Sequence, residues 1–233
     1  MVYQVEPGVR VRRMGACATP LRGIRGLQDP TVPLSKLIFD KVTAAIALVF
    51  FAPFLLIVAA LILWTEGGPV VFGHERVGLG GRRFRCLKFR TMCKDADKRL
   101  DALLKSDPAA RAEWQASRKL TNDPRISKLG AILRKTSLDE LPQLWNVLRG
   151  DMSLVGPRPV VQDESQYYGI YFADYKSVMP GVTGLWQVSG RSDTTYDERV
   201  ALDVRYVTER SFFGDIGIIL KTVQVILKRD GAR

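Results

Sequence analysis

Asp139 and Glu140 are adjacent carboxylates in a cationic stretch of sequence: Arg134 precedes them, and Arg158 follows within Gly156-Pro157-Arg158-Pro159. Lys88 and Arg90, on either side of Phe89, lie further upstream. A carboxylate surrounded by cations can coordinate magnesium, attack phosphorus as a nucleophile, or serve as a base. The cations suit a diphosphate, whose charge must be countered before an anion can approach it. Other chemistries fit poorly. His74 is the single histidine, so a Ser-His-Asp or Cys-His arrangement would have to be built around it alone. Cys86 and Cys93 have no second pair at zinc spacing, and Cys17 sits in an N-terminal tail. The thiols read as reduced and the chemistry as carboxylates, cations and a hard metal.

These residues need elements to position them. Pro142 lacks an N–H, and with Asp139 as N-cap it would fall at the third helical position, where that donor has no partner anyway. The sequence therefore predicts a helix that starts at Asp139 and runs through Leu141, Leu144, Trp145 and Leu148. Its positive end would keep both carboxylates ionised. Acidic residues in a first turn are also ordinary caps, and spacing alone does not separate the two readings. Residues 69–72 and 84–89 read as strands of a hairpin around Gly78-Leu79-Gly80-Gly81, a cluster better read as a turn than as a phosphate loop. Residues 94–119 have helical composition, interrupted at Asp107-Pro108. Ile126, Leu129, Ile132 and Leu133 form one apolar face within 125–135, suited to a membrane surface or to the core. Ile216, Ile219, Leu220, Val223 and Leu227 form another amphipathic helix.

The chain has 233 residues, 46% apolar and 25% charged, with a net charge of +11 and a pI near 9.8. That excludes a disordered protein and points to polyanionic partners: nucleic acid, anionic lipid or phosphorylated substrates. The aromatic and groove-reading motifs of nucleic-acid binders are missing, so nucleic acid is not expected. Residues 1–33 form a basic, Gly-, Pro- and Arg-containing tail expected to be poorly ordered. Residues 43–64 carry no charge and would make about 33 Å of helix, near the thickness of a bilayer core. Pro53 at its centre predicts a kink or break. Lys36 and Lys41 precede the segment, and Arg76, Arg82, Arg83, Arg85, Lys88 and Arg90 follow it. The positive-inside rule thus places both flanks in the cytosol. A re-entrant helix satisfies both flanks; a tilted, kinked span is the alternative.

Four ordered motifs carry a resemblance to a known family: KLIFDKVTAAIAL with GGPVVFGHERVG, KFRTM at 88–92, TSLDELPQLWNVLRGDMSLVGPRP at 136–159, and MPGVTGLWQVSGR at 179–191. Over residues 34–229 the chain resembles the bacterial sugar transferases, monotopic phosphoglycosyl transferases that load polyprenyl phosphate. The resemblance implies a mainly α fold with a small β-hairpin: a re-entrant membrane helix (34–66) broken at Pro53, and amphipathic interfacial helices around a cytosolic catalytic domain (67–233). The extra N-terminal parts of larger family members are not seen, so a minimal catalytic form is expected. By the same resemblance Asp139 is nucleophile and Mg²⁺ ligand, and Glu140 completes the catalytic dyad. Lys88 lies near the substrate phosphates, Arg158 is a phosphate-binding arginine, and Arg134 supports the dyad, with Arg90 beside Lys88 in the same basic motif. Two departures stand out. His74 occupies a position where the family often has Gln, and Ala52 precedes the proline where Ser is common.

The implied activity is transfer of hexose 1-phosphate from a UDP-sugar to polyprenyl phosphate, with release of UMP, through an aspartyl phosphosugar. It would be the first membrane step of exopolysaccharide or other surface-glycan synthesis. The implied setting is the cytosolic face of the bacterial inner membrane. Magnesium, the UDP-sugar, polyprenyl phosphate and the bilayer are the partners, and a second copy of the chain is a further candidate. Two rival readings are a membrane phosphatase with an aspartyl-phosphate intermediate and a non-catalytic basic membrane-binding module.

Overall fold

A computed structural model describes residues 32–117, 120–190 and 194–228; the tail expected at 1–33 therefore lies almost wholly outside the described residues. Helix α1 (Leu34–Glu66) is followed by the antiparallel strands β1 (Val71–Val77) and β2 (Arg83–Phe89), joined by a 3₁₀ turn at Leu79–Gly81. Next come α2 (Ala96–Ser106), α3 (Pro108–Ser117), α4 (Lys128–Lys135), α5 (Gln143–Arg149), β3 (Ser153–Val155), α6 (Ser165–Tyr168) and α7 (Phe172–Lys176). Strand β4 (Gly181–Thr183) and helices α8 (Tyr196–Glu209) and α9 (Phe212–Lys228) complete the chain. The fold is mostly helical with a small hairpin, as the sequence predicted, and the helical stretch after the hairpin does break at Asp107. The three-residue parallel pair β3–β4 was not anticipated.

Helix α1 meets the length and composition needed to cross a membrane, and little of its apolar surface is covered by the rest of the chain. Val49, Phe50, Leu56 and Trp64 are all more than two-thirds exposed, which a core helix of a soluble domain would not tolerate. The predicted break at Pro53 needs correction: the helix is continuous through it. A proline forfeits one hydrogen bond to the carbonyl four residues back, and the flanking Phe, Leu, Ala and Val residues carry the helix across that loss.

Both halves of α1 pack on the same domain. Near its start, Ala44 enters a cluster with Leu144, Val147, Phe84 and Cys86. There Lys36 Nζ meets Asp215 at 2.6 Å, and Ser153 Oγ donates to Asp40 at 2.7 Å. Tyr206 closes this polar seam by donating to Asp215 and to the Val155 carbonyl. Near the other end, Val58 and Ile62 pack with Phe89 and Leu133, and Arg90 donates to the Gly68 carbonyl at 3.1 Å. A third cluster, Val77, Val160, Tyr168, Tyr175, Val200 and Val204, contains no α1 residue.

The two predicted amphipathic faces resolve differently. In α4, Leu133 is buried and Leu129 partly so against α1, while Ile132 is 61% exposed and Ile126 lies outside the helix in a bridge to Met92. The face is mainly a core face. In α9 the inward residues are Asp215, Ile218, Ile219 and Thr222, leaving Leu220 and Val223 exposed. That helix is apolar on more than its packed side, so periodicity alone did not identify which side packs.

Candidate active site

The dyad is placed by a turn rather than by a helix end. Ser137 takes a left-handed conformation (φ 57°) after α4, and Leu138–Glu140 then forms a 3₁₀ turn that leads into α5. Helix α5 starts at Gln143, after Pro142, so Asp139 is not its N-cap, and neither turn nor helix shows a side-chain cap hydrogen bond. The ordinary-cap reading falls with the predicted helix start. Proline stands at the helix entrance, but as its N-cap rather than its third residue, because the helix starts about one turn later than the spacing suggested.

Asp139 is buried, 7% exposed, and no side-chain cap hydrogen bond accounts for its place. Lys88 Nζ sits 2.6 Å from Glu140 Oε1 and 3.7 Å from Asp139 Oδ2. Lys88 is brought there by the hairpin register, where it pairs with Phe72, and by Asn146 of α5. The Asn146 amide accepts from Leu87 N at 2.9 Å and donates to the Arg85 carbonyl at 2.8 Å, tying β2 to the helix behind the dyad. Arg134 Nε donates to Thr91 Oγ1 at 2.8 Å, at the foot of the same strand.

Burial pushes the Asp139 carboxyl above its usual range; the Lys88 and Arg134 charges pull it back, while Glu140 adds to the rise. Desolvation thus outweighs the cations in setting the direction of the shift, and no helix end contributes to it. Burial acts to lower the Lys88 pKa, but the two carboxylates overcome it and hold the ammonium charged. Cys86, on the same face of the hairpin, is pushed up to about 11 by burial and is an inert thiol.

The cleft encloses about 770 Å³, within the range of small-molecule sites. Its lining includes all six predicted site residues: Lys88, Arg90, Arg134, Asp139, Glu140 and Arg158. Pro53 is not among them. Arg158 arrives through close backbone packing: a Cβ on Gly156 would meet the Met179 carbonyl at 2.4 Å, and one on Gly184 would meet the Gly156 carbonyl at 2.1 Å. The Arg158 guanidinium lies 5.7 Å from the Trp186 ring centroid, and that of Arg199 lies 5.1 Å from it. Arg76, paired to Glu164 at 3.5 Å, completes this end. Sequence reasoning missed Arg76, Trp186 and Arg199. The GLWQVSGR motif could have pointed to Trp186; an arginine within the ordinary polar pattern of α8 gave no signal. His74 also lines the cleft, on the face shared by Phe72 and Arg76.

Among the described residues no three His, Cys, Asp or Glu side chains converge, so no all-protein metal cage exists there. Asp139 and Glu140 offer two hard oxygen donors, a set that suits magnesium completed by substrate phosphates and does not suit zinc.

The bacterial sugar transferase family model matches residues 32–229. The chain is 47% identical to the exopolysaccharide production protein ExoY of Rhizobium meliloti (strain 1021), over 89% of this chain and 92% of that one. It is 51% identical to the undecaprenyl-phosphate galactose phosphotransferase of Salmonella typhimurium, over 84% of this chain but 41% of that longer protein. It is 41% identical to the UDP-glucose:undecaprenyl-phosphate glucose-1-phosphate transferase of Caulobacter vibrioides, over 86% of this chain and 73% of the relative. A match of this extent, over a cleft that gathers the dyad and its cations, settles membership: the chain belongs to the bacterial sugar transferase family.

Proposed function

We propose that this chain transfers hexose 1-phosphate from a UDP-sugar to polyprenyl phosphate, releasing UMP, through a covalent intermediate on Asp139. The observation that carries the reading is a buried Asp139 with no capping role, beside Lys88 and Glu140 in a cationic cleft. In the first step an Asp139 carboxylate oxygen bonds to the sugar-linked phosphorus. The bond from that phosphorus to the bridging oxygen breaks, and its electron pair leaves on the UMP phosphate. In the second step an oxygen of the lipid phosphate attacks the same phosphorus, and the aspartyl P–O bond breaks to restore the carboxylate. Lys88 holds the dyad and neutralises phosphate charge, and Glu140 manages the acceptor's proton or supports the metal. Asp139 would hold magnesium together with the donor phosphates, and the ion would supply further positive charge at the diphosphate.

The setting we infer is a re-entrant α1 with the catalytic domain on the cytosolic face of the inner membrane. Asp40 and Ile62 are 22 residues apart in α1, about 33 Å in a straight helix. In a span they would lie at opposite faces of the bilayer, yet both pack on one domain. Basic residues on both flanks favour the cytosol.

The test is exchange. Enzyme, Mg²⁺, UDP-sugar and labelled UMP, without lipid, should move label into UDP-sugar, and Asp139→Asn should abolish this. Direct attack by the lipid phosphate predicts no exchange with active, metal-replete enzyme, and that result would remove Asp139 as nucleophile. Phosphate release into water without acceptor would favour the phosphatase reading instead.

A further inference from the structure

The cleft's cations fall into two groups with different surroundings. Lys88 is already engaged by both carboxylates of the dyad. At the other end Arg158 and Arg199 share the Trp186 ring, and no carboxylate among the described residues lies within ion-pair distance of Arg199, while Arg158 has only Glu164 at 3.9 Å. Arg199 spends its Nε on Thr194 Oγ1 at 3.2 Å, and a guanidinium held over an aromatic face keeps its remaining N–H groups for an anion, its planar fork suiting a phosphate. Arg158 is backed by the buried Asp203 carboxylate of α8, which accepts from Tyr168 OH at 2.7 Å.

The two ends also differ in what backs them. The dyad turn rests, through Leu138 and Leu133, on the cluster that contains Val58 and Ile62 of α1. The arginine end rests on the Val160–Tyr168–Val200–Val204 cluster, which holds no α1 residue. A lipid phosphate enters from the membrane helix; a soluble nucleotide has no such constraint. Trp186 Nε1 and Gln187 Oε1, on residues lining the cleft, are buried without a hydrogen-bond partner among the described residues.

We propose that Trp186, with Arg158 and Arg199 against it, forms the subsite for the nucleotide half of the donor, with Arg199 binding the phosphate that departs on UMP. The assignment rests on the donor being a UDP-sugar, as proposed above. It makes Arg199 and Trp186 binding residues of the first half-reaction only.

UMP itself is the probe, titrated calorimetrically into the full chain in detergent, with initial rates measured against UDP-sugar and against a short-chain polyprenyl phosphate. Arg199→Gln and Trp186→Leu should each weaken UMP about tenfold and raise the donor KM by a similar factor, with the lipid KM within about twofold of wild type. Arg199→Lys and Trp186→Phe, which keep the charge and an aromatic face, should recover part of the affinity, and unchanged thermal unfolding would exclude a folding defect. Wild-type UMP affinity in Arg199→Gln overturns the assignment. So does a rise in the lipid KM alone, which would give the arginine pair to the acceptor phosphate. If wild type binds UMP and the variants weaken it, but no label exchanges, the subsite stands and the covalent mechanism fails. Exchange that persists unaltered in both Arg199→Gln and Trp186→Leu leaves the mechanism standing and removes the subsite.

Discussion

Asp203 is 2% exposed, and burial pushes its carboxyl up to about 7 from 3.8, against the pull of the Tyr168 hydroxyl, the Arg158 N–H and the Arg158 charge. The ionised form therefore costs the folded state about 4 kcal/mol. In the unfolded chain the group loses its proton near pH 4, whereas the folded protein keeps it to about 7. Stability from this group is thus full below pH 4, declines as pH rises through the window, and reaches its lowest level above about 7. Asp203→Asn has no proton to lose. It carries a fixed cost, because Tyr168 OH donates to this carboxyl and the buried amide N–H₂ that replaces its other, unpartnered oxygen needs an acceptor. That cost is the same at every pH, so the difference between variant and wild type isolates the ionisation. Between pH 5 and pH 8 wild type should lose about 2–3 kcal/mol that the variant keeps. For a chain of this size that is about 5–10 °C in the gap between their unfolding midpoints. Thermal unfolding of both proteins in the same detergent, at four or five pH values, measures the gap directly. A gap that stays constant from pH 5 to pH 8 refutes the reasoning, since it would mean Asp203 is ionised in the folded protein throughout, as it is in the unfolded chain.

Three further outcomes are expected. Asp139→Asn should unfold at a higher temperature than wild type at pH 8 while losing transfer, because it removes a buried charge whose pKa is raised and leaves Lys88 paired with Glu140. Gly130→Ala should destabilise by about 2 kcal/mol or more and lower activity, since the added Cβ would lie 2.1 Å from the Thr91 carbonyl and must push α4 and Arg134 off β2; circular dichroism melts and transfer rates check both. Ala44→Leu should cost about 1–3 kcal/mol and reduce kcat while the protein still sediments with membranes, because Ala44 is wholly buried against α5.

Legibility in the sequence followed the range of the interactions. The uncharged run at 43–64, the hairpin and the stop at Asp107-Pro108 are local signals, and each produced its element. Asp139, Glu140 and the four cations that share their cleft stood out in the sequence because they lie in compact motifs with unusual composition. The start of α5 was misplaced because Ser137, a residue with no strong turn signature, adopts the left-handed conformation that ends α4 and allows a 3₁₀ turn first. Strands β3 and β4 are three residues each, too short for alternation to register. Arg199 is brought to the cleft only by the packing of α8 on α6 and α7, which no local pattern encodes.

What long-range packing adds is clearest at α1. Its first half joins the cluster that holds Leu144 and Val147, just after the dyad, together with Phe84 and Cys86 of the Lys88 strand. Its second half joins the cluster that holds Leu133 and Leu138, just before the dyad, together with Phe89 of the same strand. Both approaches to Asp139 and Glu140, and the strand that carries Lys88, therefore rest on one apolar helix. Most of that helix's remaining surface is uncovered by protein and is suited to lipid. A detachable anchor would touch the domain through one end and leave the site to fold alone. Here the long apolar helix also sets the spacing between Asp139 and Lys88. Anything that shifts α1 relative to the domain, lipid thickness included, changes the dyad's surroundings through Ala44 on one side and Ile62 on the other.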